Sequence, residues 1–489
     1  MNYHIAVLDL GKTNKKIAIF SKDLKLIYSR SLKVGERTVK GLRTDNMDEV
    51  NKWIIRSFKE LSKHYNIKVV SPTTFGATIA CLKKDGTLAL PVISYLQEPG
   101  NVVRSRFYKT FGSSEKLYLS TAAPAFGQML VAAIQIFWTK RTKPEVFRKI
   151  DKILFLPQYE GFMLTGKTAI ELTSLGCHTY LYDFKSKNYS FVAKKLGSDK
   201  IFPKKFSNSW DMLGTINKET VDKTGLSEAC KVTVGIHDSN ASFLPYLLAK
   251  KGKFVLASTG TWGVFMSRGS KFYLNKEDMK RDALYFIDAF GKPVRSARFP
   301  LGKEHDHYSD LITKKFKVIA HKTELHHGLV KKIFINANCF VTPSLLKGSG
   351  QFPDSRPKIV NKEIFFSDAQ TAYTVLNVCL AVQSYFAIKQ ALGNEKKNIP
   401  IFVEGGFRNN SIYLTALSTL FPDTKVIATD VAQATSLGAA ICGKCAAENI
   451  SPMKIKKDLI KIKENPVKKL SIDKKFVENY IKEFEKNCK

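Results

Sequence analysis

Four short stretches of this 489-residue chain combine residue types and spacing suited to phosphate chemistry. In D9-L-G-K-T-N14 an apolar run ends on Asp9, Gly11 opens a turn, and Thr13 and Asn14 follow. The N–H groups of such a turn face an anion, Thr13 can donate its hydroxyl, and Asp9 can hold a hydrated Mg²⁺. The plainer reading is an ordinary hairpin turn. S258-T-G-T-W262 repeats the device: Gly260 lets a phosphate approach the backbone, and Thr259 and Thr261 offer hydroxyls. Here the plainer reading is a type I′ or II′ hairpin. V403-E-G-G-F-R-N-N410 ends a short apolar strand after Pro400 and precedes a helix over 411–421. Its glycine pair, Gly405 and Gly406, lets backbone lie flat against a purine or an α-phosphate, and the helix N-terminus adds a favourable dipole. Q433-A-T-S-L-G-A-A440 then supplies small residues for close helix packing. In G235-I-H-D-S-N-A-S242, His237 and Asp238 stand where an apolar strand gives way to a helix. A carboxylate there can accept the proton of an alcohol that attacks a phosphoryl group. Asp238 is equally suited to cap the helix, and His237 alone reads more simply as a packed, hydrogen-bonded histidine.

These stretches lie in an α/β pattern. His4–Leu10 is a largely apolar run, and Ile17–Phe20 and Leu24–Ser29 follow as strands. Asn51–His64 has helical spacing through Trp53, Ile54, Phe58 and Leu61, and Lys68–Val70 begins another strand. Pro124–Trp138 and Pro144–Ile150 read as helices, and L164-T-G166 ends one. Near residue 250 the pattern restarts: F254-V-L-A-S-T-G-T-W-G-V-F-M266 has the form of V7-L-D-L-G-K-T-N-K-K-I-A-I-F20. A repeat at mid-chain predicts two homologous halves, 1–248 and 249–489, facing one cleft. Thr371–Leu392 reads as a long amphipathic helix, and the Lys-rich tail from about residue 451 as helical and solvated.

Composition narrows the classes. With 44% hydrophobic residues there is material for packed cores, which excludes global disorder. The net charge of +35 rests on 78 Lys and Arg, of which only 14 are Arg. Base-reading surfaces lean on Arg and interleaved aromatics, so a scattered lysine background is expected, with no specific nucleic-acid partner. No stretch of about 18 apolar residues is read as a membrane span, and no basic segment precedes the first apolar run as in a signal peptide. A cytoplasmic protein with reduced thiols is expected from its eight cysteines, C442-G-K-C445 included. No metalloprotease motif, Ser-His elbow or dinucleotide fingerprint is present.

Together, D9–N14, G235–S242, S258–W262 and F402–N410 resemble the FGGY carbohydrate kinase family in order and separation over residues 4–447. F75-G-A, D85-G and P91 resemble the segment leading to that family's sugar site, and L164-T-G166 its LTG turn. The resemblance implies two ribonuclease H-like (actin-type ATPase) domains flanking a catalytic cleft. It further implies ATP and Mg²⁺ as cofactors and transfer of the γ-phosphoryl group to a ketose or polyol hydroxyl. By position it implies Asp238 as catalytic base and Asp9 as the Mg²⁺ residue, acting through water. Gly11, Thr13 and Asn14 fall on the first phosphate loop, Thr259, Gly260 and Thr261 on the second, and Gly405, Gly406 and Asn409 on the adenosine side. Gly76 and His237 fall on the sugar side. The His-Asp-Ser order at 237–239 is similar to the His-Asp-Thr of L-rhamnulose and L-fuculose kinases, which implies a 6-deoxy-ketohexose phosphorylated at C1. Another ketose or polyol, such as xylulose, is the alternative, followed by an actin- or chaperone-like ATPase switch. One departure falls after Pro91, where many members have Trp, then Asp and Arg. Here V92-I-S-Y-L-Q-E-P99 leaves Tyr95 as the aromatic wall and Gln97 or Glu98 as the polar contact. R298-F-P-L-G-K-E-H-D306 reads as a surface loop rather than part of the cleft. The implied partners are a sugar and ATP, with no membrane; a homodimer is left open.

Overall fold

Apolar runs broken by turn residues in the first 33 positions form three antiparallel strands, β1 (His4–Leu10), β2 (Asn14–Ser21) and β3 (Leu26–Lys33). They are seen in a computed structural model that describes residues 2–269, 272–346, 348–395, 398–431 and 433–489. α1 (Met47–Leu61) packs Val50, Trp53, Ile54, Phe58 and Leu61 inward, as its spacing predicts. β4 (Ile67–Thr74) lies parallel to β1. Three short strands, β5 (Met212–Thr215), β6 (Lys231–Thr233) and β7 (Ile236–His237), complete the sheet, and α2 (Asp238–Ala249) leaves it. The order is β5-β6-β4-β1-β2-β3, with β7 also paired to β4. β1 is flanked on both edges and buried along most of its length, which is why it reads as a nearly continuous apolar run.

This sheet belongs to one of two compact units: Met1–Lys251, Tyr285–Pro293 and Ala432–Lys461. The second unit comprises Gly252–Leu284, Val294–Val431 and Ile462–Lys489. Its sheet contains β8 (Phe254–Thr259), β9 (Gly263–Arg268) and β10 (Pro293–Phe299), then β11 (Ile401–Gly405), β12 (Val426–Asp430) and β13 (Lys463–Pro466). These run in the order β10-β9-β8-β11-β12-β13. β8, β9 and β10 are antiparallel and β11 lies parallel to β8, the arrangement that β1, β2, β3 and β4 have in the first unit. The short repeat seen in the sequence is therefore a repeated topology. α3 (Leu301–Phe316), α4 (Ala369–Leu392) and α5 (Ser411–Leu420) also belong to this unit. α4 is not amphipathic: residues 372–384 are buried without a break, so every face is covered. It is long and apolar enough to cross a membrane by length and composition, but 83% of its apolar window is buried, as in a core helix.

Other segments also differ from their expectation. Residues 124–131 are not helical, and the helix there runs Ala132–Thr142. Pro124 and Gly127 disfavour a helix, and Gln128 takes a left-handed φ of 54° that a helix cannot contain. The Lys-rich tail is not merely solvated. β13 pairs with β12, and the helix α6 (Lys474–Cys488) buries Val477, Tyr480, Phe484 and Cys488 along one face. Tyr480 meets Phe334 edge-on at 5.2 Å and Phe340 at a tilt at 4.9 Å, and its hydroxyl donates to the Cys339 carbonyl at 3.4 Å. The eight cysteines are all buried free thiols.

Tyr480→Ala should therefore destabilise the second unit by about 3 kcal/mol or more, read as a lower denaturation midpoint. An unchanged midpoint would mean that the tail helix contributes nothing to the core.

Candidate active site

Strand register assembles the first-unit site. β1, β4 and β7 are parallel neighbours, so Leu10 pairs with Thr74 and Thr74 with His237, while Asp9 pairs with Thr73. Asp9, Gly76 and Asp238 thus lie at the same carboxyl edge of the sheet. His237 ends β7 and Asp238 opens α2. Asp238 is the first helical residue rather than the N-cap, and its Oδ1 accepts the N–H of its neighbour Ser239 at 2.6 Å. Its side chain keeps 32% of its surface exposed, enough for a substrate to reach. Burial pushes its carboxyl above the ordinary range; His237 and the Ser239 N–H oppose this, and the charge of Asp9 adds to it.

His237 is held from three directions. Its N–H donates to Thr173 Oγ1 at 3.0 Å, its Nε2 lies 3.6 Å from Cys177 Sγ and 3.2 Å from Asp238 Oδ1, and its Nδ1 faces Asn240 Nδ2 at 3.3 Å. Thr173 in turn donates to buried Glu171 at 2.8 Å. The imidazole lies so close to Gly76 that a Cβ there would come within 2.9 Å of Nε2. His237 is thus both a packed, hydrogen-bonded histidine and the neighbour of Asp238.

Asp9 Oδ2 accepts from Ser436 Oγ at 2.6 Å and faces Lys16 Nζ at 3.5 Å. Ser436 lies on the helix Ala434–Glu448, part of the same unit. Thr13 and Asn14 are exposed beside Gly11, and Val34 N–H donates to the Thr13 carbonyl at 3.1 Å. Lys12 turns the other way. Its Nζ donates to Asp45 at 2.6 Å and Ser94 at 2.9 Å, meets Glu36 at 2.8 Å, and lies 4.5 Å from the Tyr95 ring centroid. Tyr95 packs edge-on against Phe75, the chain neighbour of Gly76, at 5.9 Å. Gln97 accepts from the Arg43 N–H at 2.8 Å and donates to the Glu98 carbonyl at 3.1 Å, bonds that keep the segment's own backbone in place.

The second unit carries a cavity of about 450 Å³. Thr259, Gly260, Thr261, Gly406 and Asn409 line it, together with His305, Asp306, Tyr373, Phe407 and Asn410. Thr259 is buried: its hydroxyl donates to the Glu404 carbonyl and accepts the Phe407 N–H at 3.1 Å, which joins β8 to the loop after β11. Thr261 is exposed, and its carbonyl accepts the Lys303 N–H at 3.4 Å, which seats the start of α3 on the turn. Gly405, the last residue of β11, is not among the residues that line the cavity. Its φ is 84°, and a Cβ there would meet the Thr259 carbonyl oxygen at 2.1 Å, so this position requires glycine twice over.

The polar cluster 298–306 is not a surface loop. It ends β10 and begins α3, where Gly302, His305 and Asp306 face the cavity. His305 Nε2 lies 3.0 Å from the Tyr373 hydroxyl, and its ring meets Phe407 edge-on at 5.1 Å. Burial lowers its pKa, with Asp306 opposing. Asn410 donates to Asn377 at 2.7 Å and caps α5 by accepting the Tyr413 N–H at 3.0 Å. The sequence signal for His305 was its spacing one helical turn from Leu301, which places both on one face of α3. Tyr373 and Glu171 carry no comparable motif.

The sheet that recurs in both units, each with a glycine turn at its first hairpin, is the α/β fold of the actin and hexokinase class. The chain belongs to the FGGY family of carbohydrate kinases: residues 4–244 match the family's N-terminal domain and residues 251–452 its C-terminal domain. It is similar to the L-fuculokinase of Escherichia coli, with 23% identity over 283 residues covering 55% of this chain and 57% of that protein. It is also similar to the rhamnulokinase of Halalkalibacterium halodurans, with 25% identity over 150 residues and 31% of each chain. The chain thus spans 57% of the length of the first of these curated relatives and 31% of the second. In structure it is similar to a carbohydrate kinase from Novosphingobium aromaticivorans, with a TM-score of 0.83 and 24% identity over 99% of this chain and 98% of that one.

Gly405→Ala should lower stability by about 1–3 kcal/mol and weaken nucleotide binding. Gly406→Ala, whose Cβ meets nothing nearer than 3.8 Å, should melt like the wild type. Thermal melts with and without an ATP analogue check both; equal melting of the two variants would remove the role given to Gly405.

Proposed function

We propose that this chain is an ATP-dependent carbohydrate kinase that transfers the γ-phosphoryl group to the C1 hydroxyl of a 6-deoxy-ketohexose, with L-rhamnulose and L-fuculose as the expected acceptors. The observation that carries this reading is Asp238: an accessible carboxylate at a strand-to-helix junction, beside His237 and near Asp9. Asp238 accepts the proton of the sugar hydroxyl as that oxygen attacks the γ-phosphorus. His237, 3.2 Å away, keeps the carboxylate oriented and borders the sugar. Tyr95 and Gly76 border it further, the ring offering an apolar face to the sugar carbons. The N–H groups of the Gly11–Asn14 turn and the Thr13 hydroxyl hold phosphate oxygens, and Gly260 and Thr261 do so in the second unit. Gly406, Asn409 and His305 border the nucleoside. The substrate reading rests on the His-Asp-Ser order and on the names of the curated relatives.

Asp9 is the carboxylate that would hold a Mg²⁺ ion; its Oδ2 is already met by Ser436 and Lys16, which would leave Oδ1 to face the ion's water. Among the described residues no group of three or more His, Cys, Asp or Glu could cage a metal, and Mg²⁺ characteristically takes one or two carboxylates with water and phosphate. Asp9 would hold it through water, and when bound it neutralises phosphate charge.

Asp238→Asn should cut turnover by about a hundredfold or more while ATP binding survives; near-normal activity would sink the assignment. The base must be ionised, so kcat should rise with pH through an acid limb above the ordinary carboxylate value of about 4, and a limb at or below that value would contradict the environment described. A ketose panel with coupled ADP detection should rank a 6-deoxy-ketose above D-xylulose and glycerol. The reverse ranking would refute the substrate while leaving the kinase.

A further inference from the structure

Lys15 stands directly after the first turn, opposite Leu10 in the β1–β2 ladder, yet its side chain is only 4% exposed. An ammonium buried so deeply must find acceptors, since an unpaired interior charge is prohibitive. Its acceptors are the turn itself: Nζ donates to the Gly11 carbonyl at 2.5 Å and the Lys12 carbonyl at 2.8 Å. The Phe75 ring lies 5.5 Å away on another side. A turn that offers N–H groups to an anion leaves its carbonyls pointing elsewhere, and here two of those carbonyls converge on one cation.

We propose that Lys15 is a positioning residue of the phosphate turn, drawing the Gly11 and Lys12 carbonyls inward so that the turn's N–H groups stay aimed at the ATP phosphates. This rests on the reading of the turn as a phosphate loop. Lys15 touches neither phosphate nor sugar and acts through backbone. The second turn is braced by a different device, the buried Thr259 hydroxyl, so loss of Lys15 leaves it intact.

The brace carries a charge, so its state depends on pH. Burial pushes Lys15 down to about 8; Lys12 adds to the depression, while Asp45, Glu160 and Glu36 oppose it. These are the charged groups around it. Lys12 lies on the turn, Glu36 and Asp45 on the ribbon Glu36–Val39 with Leu42–Asp45, and Glu160 on the helix Leu156–Thr165. Glu160 is itself pushed up to about 8 by burial. Lys15 is protonated below about 8, so the brace is complete there and weakens as pH rises through that value.

The test measures ATP binding by calorimetry on the full chain, at about pH 7 and about pH 9.5, for the wild type, Lys15→Met and Lys15→Arg. Wild-type affinity should fall at the higher pH. Lys15→Met should bind about tenfold more weakly at pH 7 and lose the pH dependence. Lys15→Arg, whose guanidinium stays charged, should restore binding at pH 7 and hold it at the higher pH. Wild-type affinity in Lys15→Met, or an alkaline loss that persists in Lys15→Arg and so belongs to Glu160, would overturn the proposal. If Lys15→Met does not fold, Lys15→Arg alone decides through its alkaline behaviour. A wild type that binds ATP but releases no ADP with any sugar would remove the kinase reading and leave this inference to the binding data. A wild type that binds no ATP would overturn both.

Discussion

Hydrogen-bond register between parallel strands is the constraint on which the first-unit site depends. Parallel neighbours lie about 4.8 Å apart, so β1, β4 and β7 can align Leu10, Thr74 and His237 in one row. Residues separated by more than two hundred positions then share a sheet edge. A slip of one residue would send every side chain to the opposite face, and Asp238 would no longer open its helix beside Asp9. The second unit applies the same rule: Thr259 pairs with Gly405 across β8 and β11, so the turn after β8 and Gly406 just beyond β11 border one cavity.

Around that frame, buried charge is handled locally. Lys12 is neutralised by Glu36 and Asp45, Lys15 by carbonyls of its own turn, and Glu171 by the N–H groups of Thr173 and Ser174 at 2.6 and 2.7 Å. Each arrangement places a desolvated group where removing a partner would leave it stranded, which is costly. Such groups rigidify the loops they hold. The Glu171–Thr173–His237 chain does this for the imidazole next to Asp238, and the Thr259 hydroxyl does it for the second turn.

Much of this was readable from short patterns. The β1–β2 and β8–β9 hairpins, α1, α4 and α5 follow from apolar runs and turn residues, and the motif residues 9–14, 237–238, 258–261 and 405–409 lie at strand ends as expected. At residues 124–131 Pro124 and Gly127 already disfavour a helix, but apolar content points the other way and no local pattern reveals a left-handed residue at Gln128. The tail was misread for a related reason. Its lysines dominate the composition, while the face formed by Val477, Tyr480, Phe484 and Cys488 becomes meaningful only when a core exists to receive it.

By itself the sequence determined the local devices: a glycine turn at the end of each first strand, an acidic residue at a strand-to-helix junction, and a repeat of form near residue 250. These depend on backbone sterics and on neighbours within a few positions. Tertiary structure alone decided which way the long side chains point. Nothing in 64 lysines distinguishes Lys15 from those left in solvent; its burial follows from the strands and the Phe75 ring that close over it. Likewise the chain order does not reveal that Ala432–Lys461 joins the first unit, where Ser436 meets Asp9. Direction and partnership of side chains are set by contacts distant in sequence, because a flexible four-carbon stem has no local preference strong enough to choose between water and a carbonyl.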